Sequence, residues 1–445
     1  MTPGAGNPIA AAFLSHAIED AEVAKTIKVG LEGQRISVFA FETDLAFGHP
    51  IWETVRRRIE TSDYLLVLLS RSALASESVA REIGLALELR KSRATPIIIG
   101  ITSRELSPMR IQPRQFEDGS LQEAPFDFGG LRCFSEWRDE TALGEFGRSL
   151  QPSVSFIRST NDPQSRELYL RSRPCLLQLF PELSETDYID RIWAWLRECE
   201  GPGTRWQDVL GVMELGQQPV GILYTSVPTK GHFAFGNYFG IVDGSRHHDR
   251  AQHLVEDCRP RVHEINPHVR GIVFEAEVPD LSFLEGIAAS REKQRLFEVS
   301  DQGRLKRALR ALARLAIYQS RGARSLIDPD GQLLPIPTPS QRENFLDDPP
   351  RAHLLMYYPL ESGDADFSGT DLDALMCFVY DGLYGDAYGD SSEMGFPGYR
   401  KYVAGLRSEY VEGIRGRATM GKARLSKDVK LLLIKADLSG IGVDL

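Results

Sequence analysis

Apolar and polar positions along the chain follow two regimes that change near residue 150. Before it, short apolar runs alternate with segments in which apolar residues recur every three or four positions. Residues 10–15, 35–41, 63–69 and 95–101 are the runs, and RISVFAF and TPIIIGI among them are rich in β-branched and aromatic residues that suit a pleated strand. Between the runs, Val23, Ile27 and Leu31 share one side of a helix predicted over 19–31, and further helices are predicted over 51–59 and 77–91. Continuously apolar strands separated by helices predict a parallel sheet covered on both faces. A weaker strand near 130–134 and a helix near 141–150 close the region.

Residues 151–165, QPSVSFIRSTNDPQS, are polar and lack periodicity, so they read as a linker. Beyond it, helices are predicted over 168–180 and 187–199. Strands over 208–214 and 220–226 are joined by the turn Gly216-Gln217-Gln218, and 233–242 is another strand. A helix over 251–262, a strand over 271–278, an amphipathic helix over 304–320 and a strand over 352–358 follow. Antiparallel pairs followed by strand–helix–strand predict a mixed sheet. After residue 360 the chain is acidic, with Gly382, Tyr384, Gly385, Tyr388 and Gly389 at a loop-like spacing and no calcium-loop register. A helix near 399–415 and a strand near 429–434 end the pattern. The expected division is 8–150, a linker at 151–165, a second domain at 166–360, and 361–445 as its extension.

Composition narrows the class. A chain of 445 residues is long enough for two or three domains, and 42% hydrophobic with 26% charged residues is ordinary for soluble globular protein. A net charge of −10 argues against the whole chain being a nucleic-acid binder. The five cysteines are scattered and form no CxxC pair, so neither a disulfide framework nor a zinc ribbon is indicated. No 18-residue apolar run and no secretory start occur. A cytoplasmic protein without a membrane segment is the expectation.

The stretch 67–87, VLLSRSALASESVAREIGLAL, holds the candidate chemistry. A buried strand ends at Ser70, a polar turn contains Ser76 and Ser78, and a helix begins with Glu82 in its first turns. An open α/β sheet places reactive groups in this way, above the carboxyl ends of its strands. A carboxylate there can stabilise a cation formed during bond cleavage. The alternative is a surface glutamate favoured by the helix macrodipole.

Several segments, in order, resemble the Toll/interleukin receptor (TIR) domain. Phe13-Leu14-Ser15-His16-Ala17 with Glu19-Asp20 is similar to that family's first strand and loop, and ETDLAFGHPIW at 42–52 to the long loop after its second strand. Thr61-Ser62-Asp63 leads into the third strand, and Ser76 and Glu82 match a motif written S-x-W-x-x-x-E, with Ser78 where tryptophan is frequent. The resemblance implies a flavodoxin-like parallel-sheet domain. It also implies cleavage of NAD+ at the nicotinamide–ribose bond, as bacterial members perform. Glu82 would be catalytic, and Phe13, Ser15, Asp44, Phe47, Gly48, Trp52 and Ser76 would bind substrate. NAD+ would be the substrate, with no cofactor required and no metal. Activity would switch on by self-association through TIR domains, in antiphage defence, after an unidentified ligand or phage component is sensed. Trp52 has a second reading as a helix anchor on the core. The alternative for the chain is a catalytically weak TIR adaptor attached to a working acetyltransferase. No glycine-rich dinucleotide fingerprint is present, so a hydride-transfer site is excluded.

The second half resembles the GNAT acetyltransferase fold, a mixed-sheet α/β domain. AIYQSRGAR at 316–324 is similar to that family's Y-x-x-x-G-F/A element, and LPIP at 334–337 to a proline-rich turn before its last strand. The family's pyrophosphate loop, R/Q-x-x-G-x-G/A, is replaced by SRHHDRA at 245–251. Arg246, Arg250 and Ala251, with Tyr318 as the family's usual acid, would form a degenerate acyl-CoA site. Asp249 stands in place of the central glycine, and its carboxylate opposes a pyrophosphate. The domain is therefore expected to act as a sensor or scaffold, and Tyr318 has a second reading as a packed helix residue. His232, His247, His248, His253, His263 and His268 show no metal-binding spacing and read as surface histidines. Residues 291–324 contain ten basic and three acidic residues, read as the solvated face of an amphipathic helix, so a nucleic-acid partner is not expected.

Overall fold

A computed structural model describes residues 8–41, 51–91, 95–102, 110–111, 126–127, 133–157, 159–181, 183, 188–199, 204–242, 250–289, 302–320, 322–341, 344–360, 369–385, 395–414 and 417–425. The first domain runs β1 (Ala10–Ser15), α1 (Ala21–Glu32), β2 (Ile36–Ala40), α2 (Ile51–Glu60), β3 (Tyr64–Leu69), α3 (Arg71–Ala75), α4 (Glu77–Arg90) and β4 (Ile97–Thr102). The two-residue strands β5 (Arg110–Ile111) and β6 (Phe126–Asp127) pair with each other. Then β7 (Cys133–Phe134) and α5 (Glu140–Ser149) complete it. The sheet order is β2-β1-β3-β4-β7, and every pair is parallel. All six residues of β3 are buried, as a central strand covered on both faces requires.

Side-chain alternation divides the two layers. Ala10, Ala12 and Leu14 of β1 pack with Ala24, Ile27 and Leu31 of α1 and with Leu143 and Phe146 of α5. On the other face, Phe13, Leu65 and Val67 pack with Val55 and Ile59 of α2 and with Val79, Ile83 and Ala86 of α4.

The second domain begins earlier than the linker reading placed it. Ser153–Ile157 is β8, the edge strand of a nine-stranded sheet, paired antiparallel with the next strand. An edge strand is half-solvated, so its serines mask the alternation of Val154 and Phe156, which pack on the core. Helices α6 (Pro163–Leu179) and α7 (Tyr188–Glu198) follow, the first capped by the Asp162 carboxylate. Next come β9 (Trp206–Leu215), β10 (Gln218–Pro228), β11 (Phe233–Ile241), α8 (Arg250–Ile265) and β12 (Gly271–Glu277). The β9–β10 turn has positive φ at Gly216 and Gln217 (49° and 72°), as a tight hairpin requires.

After β12 come α9 (Leu281–Ala289), α10 (Gln302–Ser320), β13 (Arg324–Ile327), β14 (Ile336–Thr338) and β15 (Arg351–Pro359). The segment read as loop-like after 360 instead forms α11 (Gly369–Cys377) and a π-helix, Phe378–Tyr384. Its tyrosines are core residues: Tyr380 and Tyr384 are buried against Leu375, Met376 and Val379. Tyr388, Gly389 and the strand expected at 429–434 lie outside the described residues. Finally α12 (Tyr399–Ile414) packs on the same cluster, and β16 (Thr419–Gly421) pairs with β13. The C-terminal extension is thus built into the second sheet.

That sheet is ordered β16-β13-β15-β12-β11-β10-β9-β8, with β14 on β15. It is mixed, as expected: β8 to β11 are antiparallel neighbours, β11 and β12 are parallel, and β12 and β15 are antiparallel. The parallel pairing covers only Phe233–Phe235 against Gly271–Val273, after which the two strands share no register. Tyr64 of β3 and Ile99 of β4 belong to one apolar cluster with Met213 and Leu215 of β9 and Leu254 of α8. The second domain therefore meets the first at the amino ends of its strands.

Candidate functional site

The opposite, carboxyl edge of the first sheet holds the candidate site. Ser15 is the last residue of β1 and shares a face with Phe13, so it points toward α4. Helix α4 begins after Ser76, whose hydroxyl accepts the Val79 N–H at 3.4 Å. Val79, Ile83 and Ala86 at helical spacing turn one face of α4 onto the sheet, and Glu82 lies on that same face. Glu82 is only 7% exposed. The Ser15 hydroxyl, 1% exposed, donates to Glu82 Oε2 at 2.5 Å. Burial pushes the Glu82 carboxyl up to about 7, and the serine's hydrogen bond opposes that rise. A surface glutamate stabilised by the helix dipole does not fit these facts. A buried acid poised near neutrality suits chemistry in which a positive charge develops nearby.

Two contacts join segments at this edge of the sheet. Ser70, the N-cap of α3, donates to the Asp20 carboxylate and accepts the Ala73 N–H at 2.9 Å. The loop after β1 is thereby held to the loop after β3. The Arg81 guanidinium, adjacent to Glu82 in sequence, lies 5.6 Å from the centre of the Trp52 ring. Trp52 is 41% exposed, which corrects its reading as a core anchor. The Phe13 ring is 1% exposed and stacks on Phe39 at 5.5 Å, so its side chain serves the core. Ser76 is engaged as a helix cap. Asp44, Phe47 and Gly48 lie outside the described residues.

In the second domain, Arg250 corrects the acyl-CoA reading. It is 1% exposed, and its guanidinium is ion-paired with the fully buried Asp63 of the first domain. Its guanidinium is buried and ion-paired with protein through one terminal nitrogen rather than presented to a phosphate. Ala251 follows it on α8, and Arg246 lies outside the described residues. Tyr318 is half-buried, edge-on to Phe274 at 5.1 Å and stacked on Phe239 at 6.1 Å, and burial raises its hydroxyl above the usual range. That is the packed-tyrosine reading.

Two polar networks escaped the sequence reading. Asp208 accepts hydrogen bonds from Tyr224 at 2.5 Å and Ser226 at 2.7 Å, and burial raises its carboxyl above the usual range. Glu275 accepts from Thr338 at 2.9 Å and from Tyr384. The available signal was an acid in phase with the inward-facing residues of its strand, Leu210 and Val212 for Asp208. Among the described residues no cluster of potential metal ligands occurs, and no helix is long and apolar enough to cross a membrane.

The family model described as TIR domain matches residues 12–129, which span β1 to β6 and include the Ser15–Glu82 pair. This region is a TIR domain. A search of curated proteins returned no match. Solved structures similar to the chain include an aminoglycoside 6′-N-acetyltransferase complexed with coenzyme A, at 11% identity and TM-score 0.28, covering 47% of this chain and 98% of that one. The ribosomal-protein-S18-alanine N-acetyltransferase from Escherichia coli is similar at 12% identity and TM-score 0.24, covering 49% and 100%. A GNAT-family protein from Bacteroides thetaiotaomicron is similar at 18% identity and TM-score 0.24, covering 51% and 98%. The chemistry of the TIR domain and of the domain behind it is read from their own residues.

Proposed function

We propose that the TIR domain hydrolyses NAD+ at the nicotinamide–ribose bond. The observation that supports this is the pairing of Ser15 with a buried Glu82 whose carboxyl is pushed up to about 7 at the carboxyl edge of a parallel sheet. In the proposed reaction the C1′–N bond breaks and nicotinamide leaves with the bonding pair. The ribose becomes oxocarbenium-like, and the Glu82 carboxylate stabilises it and orients the sugar hydroxyls. Water, or a nucleophile within the substrate, completes the reaction. Only the ionised acid can perform this role, so the rate rises with pH through the Glu82 titration. Release of nicotinamide by the purified chain, lost in Glu82→Gln, tests the assignment. Equal release by the variant would remove it.

Uncontrolled NAD+ loss is toxic, so the resting chain is read as off, with assembly through TIR domains turning it on. This suits a cytoplasmic antiphage defence protein that drains infected cells of NAD+. The second domain is the proposed sensor or scaffold, since Arg250, one of the side chains expected to meet a cofactor phosphate, is ion-paired with Asp63. A rate per molecule that stays high and flat down to nanomolar dilution would refute switching by assembly.

A further inference from the structure

The ion pair between the domains sits at a structural junction of the TIR sheet. Asp63 immediately precedes β3 and is wholly buried. Its backbone N–H donates to Ala11 O at 2.9 Å, and its carbonyl accepts the Ile97 N–H at 2.7 Å. Its carboxylate also accepts the Ala11 N–H at 2.8 Å. One residue thus clips together the starts of β1, β3 and β4. A carboxylate removed from water in this way needs a counter-charge, because a lone buried charge is strongly destabilising. Arg250, the first residue of α8 in the second domain, supplies such a charge. The same guanidinium donates to the Ile9 carbonyl, from Nε at 3.4 Å and from the terminal nitrogen at 3.5 Å. Ile9 leads directly into β1, and β1 ends at Ser15.

We propose that Arg250 is a positioning residue for the TIR site: by anchoring the starts of β1 and β3, the second domain holds Ser15 against Glu82. This rests on the Glu82 reading above. The path is short and stiff. Strand β1 spans six residues, about 20 Å at the usual rise, and is registered on both sides, against β2 and β3. The Ser15–Glu82 contact at its end, 2.5 Å, leaves little room for displacement. Misplacement of a catalytic group by about 1 Å can cost about a hundredfold in rate. The TIR domain is therefore incomplete as a catalyst without the domain behind it.

The test uses the full chain with NAD+ as probe and amide hydrogen exchange as a readout independent of activity. Arg250→Met takes the guanidinium away from the Asp63 carboxylate and from the Ile9 carbonyl. The paired variant Asp63→Asn with Arg250→Met leaves no lone charge and keeps a side-chain acceptor for the Ala11 N–H, yet it gives up the bond to Ile9. Both are expected to speed exchange along β1 as far as Ser15 and to lower kcat about tenfold or more at little-changed KM, as loss of positioning does. Arg250→Lys keeps the charge and should recover part of the rate. Faster exchange confined to residues 9–11, or an unchanged or raised kcat in the folded paired variant, would overturn the proposal. Should the wild-type chain release no nicotinamide, the catalytic reading fails by itself, and exchange at Ser15 alone decides the anchor.

Discussion

Glu82→Gln should remove a specific part of the pH dependence of the protein's stability. The Glu82 carboxyl is raised from an ordinary value of 4.5 to about 7, with burial as the main cause. Between those values the folded state binds the proton more tightly than the unfolded state, so stability falls as pH rises across that window. The contribution is fully present below about 4.5 and lost above about 7, opposite in sense to a carboxylate held by a cation. At 1.36 kcal/mol per pH unit the whole effect is about 3 kcal/mol. Glutamine keeps the shape and can accept the Ser15 hydrogen bond but does not titrate. Its own cost, a buried amide with an imperfect partner, is about 1–3 kcal/mol and is the same at every pH. The measurement is a double difference: amide-exchange stability of the β1 and β3 core at pH 5 and pH 8, in both proteins. The wild type should lose about 2.5 kcal/mol more than the variant between the two conditions, since at pH 5 part of the effect is already gone. Equal pH dependence, within about 0.5 kcal/mol, would show that Glu82 is solvated and ordinary.

Three further outcomes follow from the same geometry. Ser15→Ala removes the hydrogen bond that opposes the rise of the Glu82 carboxyl, so the ascending limb of nicotinamide release should move about one pH unit higher, seen in a pH–rate profile. Gly271→Ala would put a Cβ 2.1 Å from the Tyr357 ring and 2.8 Å from the Tyr358 carbonyl, and should lower the unfolding free energy, measured by denaturant titration, by about 1–3 kcal/mol or more. Calorimetric titration with acetyl-CoA should show no binding below millimolar concentration. Micromolar binding, with acetyl transfer lost in Tyr318→Phe, would instead make the second domain an enzyme.

The parallel sheet of the TIR domain was legible because its strands are buried on both faces. A run such as YLLVLL at Tyr64–Leu69 has no solvated side to dilute the apolar signal. Glu82 was legible as a candidate because its segment reads strand, turn, capped helix in sequence order. What sequence could not supply was the environment that gives the acid its character. The partner Ser15 lies 67 residues away, and only folding brings its hydroxyl to 2.5 Å and removes the water around the carboxyl. Edge and covering elements were read poorly for the converse reason. Strand β8 is half-solvated, and the π-helix draws its stability from tyrosines whose partners are distant, as where the Tyr380 hydroxyl meets Pro337 O at 2.9 Å. Arg250 shows the limit most sharply. Beside Asp249 and Arg246 it reads as a phosphate-binding cation, because local sequence shows the charge but not its counter-ion. The tertiary structure brings Asp63 to it across 187 residues, and a buried carboxylate at that junction is stable only with a buried cation against it.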